Sequence, residues 1–326
     1  MKALRVAIIG ASGIGRNHVG WFLGHGSEVV AFVGSSPESI SSTRSALKTA
    51  WNIEPNGYTS CEEMLICESP DAVCIACPPQ FHFALAAQCL DFGAHVLCEK
   101  PLVGATNQSP RVLEKQCEIL CKKARDWNLL LATQMQYAPL AKTILQMCGI
   151  ENLNELDKLV FTMNTKNIKH NRRGADVWLD LSPHPLSVLR KIARQSQINA
   201  KSIRCEIEEL QTVANFEMSF FDAHSEARRC KVEIRCGVDD TEDVPLRRWR
   251  INGVAVDYFA RKNDSGDFCA YLSSKDRVLE LPDFVDSLIG NFVRACNGVE
   301  KLWVSGDDGA QIVNWQHEIL SHGRNK

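Results

Sequence analysis

The chain has 326 residues, 45% of them hydrophobic and 23% charged, an ordinary globular balance with material for two separate cores. A formal charge of -2 gives no sign of the strongly basic surface that a nucleic-acid or anionic-membrane partner requires. Because no apolar run approaches the roughly 20 residues needed to cross a bilayer, a membrane-spanning role is excluded as well.

The N-terminus, "MKALRVAIIGASG", passes from a short apolar stretch directly into a glycine loop. That reads as a first β-strand and not as a signal peptide, so a cytoplasmic protein is expected. Strand and helix then alternate as far as residue 135. "LRVAIIG" is followed by the helical "GIGRNHVGWFLG", and "SEVVAFVG" by "SPESISSTRSALKTAW". "DAVCIAC" and "AHVLCE" repeat the pattern around "FHFALAAQCLDFG"; the amphipathic "SPRVLEKQCEILCKKARDW" and the strand "NLLLATQ" complete it. Continuous apolar strands separated by helices predict a doubly wound parallel sheet, a Rossmann-type α/β domain over 1–135.

From about Lys158 the texture changes to short, partly alternating runs such as "KLVFTMNT", "TVANFEMSFF", "RCKVEIRCG" and "VAVDYFAR". They predict an α+β domain over 136–326 with an open antiparallel sheet, closed by two helical segments. Phe216, Met218 and Phe220 are placed on the open face of that sheet. A bare apolar face exceeds what a soluble monomer tolerates, so a homodimer or homotetramer through it is expected.

The 14 cysteines are scattered, many within apolar segments. Cys74 and Cys77 form C-x-x-C on a predicted strand, where their thiols face opposite ways, and Cys117 and Cys121 have no further ligands close in sequence. They read as reduced, buried thiols, and no metal site is assigned.

"IIGASGIGRNH" sets Gly10, Gly13 and Gly15 between the first strand and the first helix. Gly10 and Gly15 occupy the outer positions of a dinucleotide fingerprint, Ser12 stands where its middle glycine usually is, and Ile14 opens the helix. The amides of such a turn form an anion site. Strand two ends in Gly34, Ser35 and Ser36, where an NAD enzyme usually places a carboxylate for the ribose hydroxyls. With no acid there to repel a 2′-phosphate, NADP is assigned and NAD is the second choice. Ser35, Ser36 and Arg44 are the proposed donors, although Ser36 followed by Pro37 is also a plain helix cap.

"DAVCIACPPQFH", "GAHVLCEKPL", "GADVWLDLSPHPLSVL" and "VSGDDGAQIV" together resemble the glucose–fructose oxidoreductase, inositol dehydrogenase and rhizopine-catabolism family across nearly the whole chain. The resemblance implies a Rossmann domain followed by an open antiparallel sheet. It also implies that Lys100 of Glu-Lys-Pro acts at the substrate and nicotinamide, joined by Asp180 and His184 of the D-x-x-x-H element. Pro78, His82 and Glu99 are assigned with the cofactor on the same ground. From the residues alone, Lys100 lies at the carboxyl end of a sheet strand, where ligands of such sheets bind. Asp180 and His184, four apart, share a helix face, although Pro183 and Pro185 predict a kink or an end there.

Two departures bear on the substrate. "LATQMQYAP" presents Gln134, Gln136 and Tyr137 in a segment where the family often has asparagine or arginine. Lys166, Lys169, His170, Arg172 and Arg173 form a basic stretch that suits either a substrate anion or a solvated loop. The resulting expectation is reversible hydride transfer between NADP and a secondary alcohol of a sugar, polyol or related small metabolite. His184 is the acid/base, Lys100 the electrophile, and Asp180 orients the histidine or binds an adjacent hydroxyl. Reduction of a C=N bond, and a dinucleotide-binding regulator without turnover, are the alternatives.

Overall fold

The structure, a computed structural model, describes residues 3–104, 108–166, 171–193, 195–221, 227–241, 245–265, 268–275 and 277–325. The chain divides into two compact units, Met1–Met135 with Val285–Val313, and Gln136–Phe284 with Asn314–Lys326. The sequence reading gave the whole of 136–326 to the second domain; the structure instead assigns Val285–Val313 to the first.

The first unit alternates β1 (Arg5–Ile9), α1 (Ile14–Gly24), β2 (Glu28–Val33), α2 (Pro37–Trp51), β3 (Asn56–Tyr58), α3 (Cys61–Glu68), β4 (Ala72–Ile75), α4 (His82–Asp91), β5 (His95–Glu99), α5 (Pro110–Asp126) and β6 (Leu131–Gln134). The strands lie in the order β3-β2-β1-β4-β5-β6, all parallel. Between β1 and β4 the order reverses direction, and a doubly wound sheet binds its ligand at such a switch point. Both faces are covered, which is why the strands read as unbroken apolar runs. Ala7, Val73 and Val96 pack on the α3–α5 side. Val6, Ile8 and Leu97 pack on the other side with Phe22 of α1.

The second unit contains α6 (Ala141–Met147), β7 (Lys158–Thr165), α7 (Ala175–Leu181), α8 (Pro183–Ile192), β8 (Ser196–Ile198), β9 (Arg204–Ile207), β10 (Gln211–Phe221), β11 (Ala227–Val238), β12 (Arg247–Ile251), β13 (Val254–Lys262), β14 (Phe268–Ser274) and β15 (Arg277–Pro282). The chain ends in α9 (Phe284–Cys296), α10 (Gly306–Ser321) and β16 (Gly323–Asn325). Ile289 and Phe292 of α9 are buried in the first unit's core, and the Phe292 ring meets Phe22 edge-on at 6.4 Å. That burial is what carries Val285–Val313 out of the second domain.

The sheet runs β15-β14-β13-β12-β7-β11-β10-β9-β16, with β8 beside β10. It is mixed and not purely antiparallel, because β7 pairs with β11, and β9 with β16, in parallel. On β10, Phe216, Met218 and Phe220 are 3%, 0% and 2% exposed. They belong to the covered face, against which α7 packs, so the expected apolar open face is corrected. The opposite face is polar: Lys158, Thr162, Glu233, Arg235, Arg248 and Arg250 line a groove of about 510 Å³. Among the described residues, no helix is long and apolar enough to cross a membrane.

Candidate active site

The turn from β1 to α1 is built around positions that tolerate no side chain. Gly10 has φ +85°, and a Cβ on it would lie 2.7 Å from the Ala76 carbonyl oxygen. A Cβ on Gly15 would overlap the Gly10 carbonyl oxygen. Gly13, at φ +56°, caps α1 with no side-chain hydrogen bond, and the first turn holds no acid. The opening amides and the positive end of the helix dipole are thus left without a side-chain cap, the condition under which a helix start accepts an anion.

Beside this turn, at the carboxyl ends of β1, β2 and β4, lies a cleft of about 400 Å³. Gly10, Ser12, Ser35 and Pro78, which the sequence reading gave to a cofactor, line it. Ile14, at the mouth of α1, is 44% exposed. Ser36 is turned to its own helix, where its hydroxyl accepts the Ser39 amide at 3.2 Å. Arg44 is exposed, stands near Glu54, whose carboxyl Lys48 and to a lesser degree Arg44 lower, and does not line the cleft. The lining hydroxyls that sequence reasoning missed are Thr59, just past β3, and on α2 Ser39 and Thr43, one helical turn apart. Their i,i+4 spacing after Ser35 was legible, but a polar helix stripe more often faces solvent.

Past β5, Lys100 is half-buried and joins Pro101 through a cis peptide bond. The carboxylate of Glu99 is held on both sides: Oε2 accepts the Lys100 amide at 3.1 Å, and Oε1 lies 3.1 Å from His18 Nε2. His18, wholly buried on α1, places Nδ1 3.1 Å from the Cys74 sulfur. Burial works against its charge, but Cys74 and Glu99 prevail and raise its pKa to about 10. Burial likewise pushes Glu99 upward, yet His18 and Lys100 hold its carboxyl below the usual range. The two form an ion pair in which His18 is buried and Glu99 partly exposed, and pairing is what makes the buried charge tolerable. His82 is also wholly buried, with Nδ1 2.8 Å from the Pro101 carbonyl and Nε2 2.8 Å from that of Cys77. Burial lowers its pKa against the pull of the two carbonyls and Glu99. His82 and Glu99, assigned to the cofactor from the sequence, are therefore engaged with the protein itself. Cys77 lies beyond the end of β4 and faces the cleft, outside the strand on which C-x-x-C was read. Among the described residues no cluster suited to a metal ion occurs.

In the second unit, Asp180 and His184 sit on two helices rather than one, because the chain breaks at Ser182 ahead of Pro183. Gln316 braces the break, donating to Ser182 Oγ at 2.8 Å and to the Leu179 carbonyl at 2.9 Å. The indole of Trp178 donates to the Gln316 carbonyl at 3.0 Å. Arg172 Nε lies 3.1 Å from Asp180 Oδ2, and Arg173 pairs with Glu209. Of the basic stretch, Lys169 and His170 lie outside the described residues, while Arg172 and Arg173 are each committed to a carboxylate. The half-buried His184 ring is set edge-on to Tyr137, with centroids 5.2 Å apart. Tyr137 in turn packs on Trp249 and Tyr258.

Comparison with known proteins identifies this architecture. The family model described as an oxidoreductase family with an NAD-binding Rossmann fold matches residues 4–123. Inositol 2-dehydrogenase of Corynebacterium glutamicum (strain R) is 30% identical over 115 residues, 35% of this chain and 33% of that protein. The match thus spans about a third of that relative's length. UDP-N-acetylglucosamine 3-dehydrogenase GnnA from Acidithiobacillus ferrooxidans has a similar structure, with a TM-score of 0.73 at 16% identity over 99% of this chain and 98% of that one. Scyllo-inositol dehydrogenase from Lactobacillus casei, solved with NAD(H) and scyllo-inositol, gives 0.72 at 14% identity over 99% and 97%. At such identities these structures establish the fold. Residues 4–123 thus resemble that oxidoreductase family's NAD-binding Rossmann domain, and the likeness of fold extends across nearly the whole chain.

Proposed function

We propose that the chain is an NADP-dependent dehydrogenase acting on a secondary alcohol of a sugar, polyol or related small metabolite. The observation that carries this reading is the glycine cradle opening onto a cleft at the sheet's switch point. Side chains are excluded at Gly10 by the Ala76 backbone and at Gly15 by the Gly10 carbonyl, which keeps the turn tight and α1 close to the sheet, as a pyrophosphate-binding loop requires. The end of β2 brings Gly34 and Ser35 to the cleft with no carboxylate, and α2 adds Ser39 and Thr43. Those hydroxyls suit a 2′-phosphate, which an acid in their place would repel.

The nicotinamide, when bound, supplies the redox chemistry. The chain's own residues then have the remaining tasks. The Lys100 ammonium stabilises negative charge on the substrate oxygen. His184 carries the hydroxyl proton, the general acid/base role that histidine most often takes. Arg172 fixes the carboxylate of Asp180, which orients the histidine or holds a neighbouring hydroxyl.

The test is the absorbance of NADPH with a panel of polyols and ketoses, repeated with Lys100→Met and His184→Ala. Turnover by the wild type, reduced about a hundredfold or more in each variant, is expected. Near-normal turnover in either variant removes that residue from the mechanism.

A further inference from the structure

The Lys100 loop is gripped from both sides by histidines that have no part in the chemistry above. On its N-terminal side, Glu99 is tied through its carboxylate to His18 Nε2 at 3.1 Å. His18 belongs to α1, the helix that the glycine loop opens. On its C-terminal side, the carbonyl of Pro101 faces His82 Nδ1 at 2.8 Å. His82 begins α4, and its other nitrogen faces the Cys77 carbonyl in the wall of the cleft. Both rings are 0% exposed, so neither has water as an alternative partner. A buried imidazole is costly unless its polar edges are met. Here His18 sets Nε2 at ion-pair distance from Glu99 and Nδ1 against the buried Cys74 sulfur, while His82 turns its two nitrogens to the Pro101 and Cys77 carbonyls.

We propose that His18 and His82 are positioning residues that fix Lys100 relative to the cofactor cleft. His18 works through Glu99 and ties the lysine to the phosphate-binding helix; His82 works through Pro101 and ties it to the proline loop. The inference rests on the reading of Lys100 as the electrophile, but the contacts themselves do not. Displacement of a reacting group by about 1 Å costs on the order of a hundredfold in rate, so a lysine on a loop needs such anchorage.

The geometry supplies its own test, since asparagine places its amide near Nδ1 of the ring and glutamine near Nε2. At position 18 the contact to Glu99 is made by Nε2, so His18→Gln keeps it and His18→Asn loses it. At position 82 the contact to Pro101 is made by Nδ1, so the order reverses: His82→Asn keeps it and His82→Gln loses it. The readout is the acylation rate of the Lys100 amine by an N-hydroxysuccinimide ester, measured by peptide mass spectrometry against exposed Lys48. His18→Gln and His82→Asn should stay within about twofold of wild type, while His18→Asn and His82→Gln depart by about fivefold or more. Where turnover is measurable, kcat should follow the same crossed order, with the Kd for NADP unchanged. Equal rates in all four variants, or the same ranking at both positions, would overturn the proposal, because a purely structural histidine has no reason to prefer opposite amides. Lys100→Met separates the two levels. An inactive Lys100→Met beside four unaffected histidine variants defeats the positioning role alone, whereas an active Lys100→Met defeats the functional reading.

Discussion

Substituting Gly10 by alanine perturbs the cofactor cleft with the smallest change available, a single methyl group. Two costs can be read from the geometry. At φ +85° an L-residue meets its own backbone, worth about 1–2 kcal/mol. The new Cβ also stands 2.7 Å from the Ala76 oxygen, 3.0 Å from its carbonyl carbon and 3.1 Å from the Cys77 nitrogen. All three are backbone atoms, so no side chain can swing aside, and overpacking of this kind costs about 1–3 kcal/mol. The total is about 2–5 kcal/mol, divided between global stability and displacement of the loop. Gly13→Ala is the control: its φ is +56°, but a Cβ there meets nothing within 4 Å, so only the conformational cost applies. Thermal unfolding and calorimetric titration with NADP, performed on both variants, separate the two contributions. Gly10→Ala should lose at least tenfold in affinity, several degrees in Tm, or both, and Gly13→Ala should lose clearly less. If Gly10→Ala binds NADP and melts like the wild type, the cradle argument is refuted.

Other expectations follow from single contacts. Ser35→Asp puts a carboxylate at the end of β2 and should move the ratio of NADP to NAD affinity about tenfold or more toward NAD. Arg44→Ala, outside the cleft lining, should leave that ratio within about twofold; a large loss of NADP affinity on removing Arg44 would reinstate it as the counter-charge. The pKa of His18 is raised from about 6.5 to about 10 on folding, so its contribution to stability is complete below pH 6.5 and lost as pH climbs toward 10. The Tm difference between wild type and His18→Gln should therefore shrink from pH 7 to pH 10, and a constant difference would contradict the ion pair. Glu99 has the opposite sign: its lowered pKa stabilises above the ordinary carboxylate range and ceases to do so as pH falls below it. Finally, Gln316→Leu strips the donors from Ser182 and Leu179 and should cost about 2 kcal/mol or more, read as a lower urea midpoint; an unchanged midpoint would mean the break is not braced there.

Local chemistry was enough to make the first sheet legible. Strands buried on both faces must be apolar throughout, and a strand-to-helix turn that admits no Cβ must be glycine, so β1, β2 and the loop at Gly10 could be read directly. The strand "KLVFTMNT" likewise coincides with β7, Lys158–Thr165, because alternation has a fixed period of two. Alternation names two faces, however, and does not say which one is covered. Phe216, Met218 and Phe220 were put on the wrong side because α7, whose packing decides the matter, is distant in sequence. The same limit applies at Asp180, whose partner Arg172 and whose break at Ser182 depend on how a loop folds back and on Gln316, 134 residues further on. Arg44 was given a role by proximity along the chain, whereas the helix turns Thr43 to the cleft in its place. Glu-Lys-Pro was recognisable as a motif, but the partners that hold it, His18 and His82, come from residues brought together only by the parallel sheet. A sequence fixes period, strain and charge residue by residue; the choice of partner belongs to tertiary structure, because burial and hydrogen bonding are satisfied between segments that have no local means of finding one another.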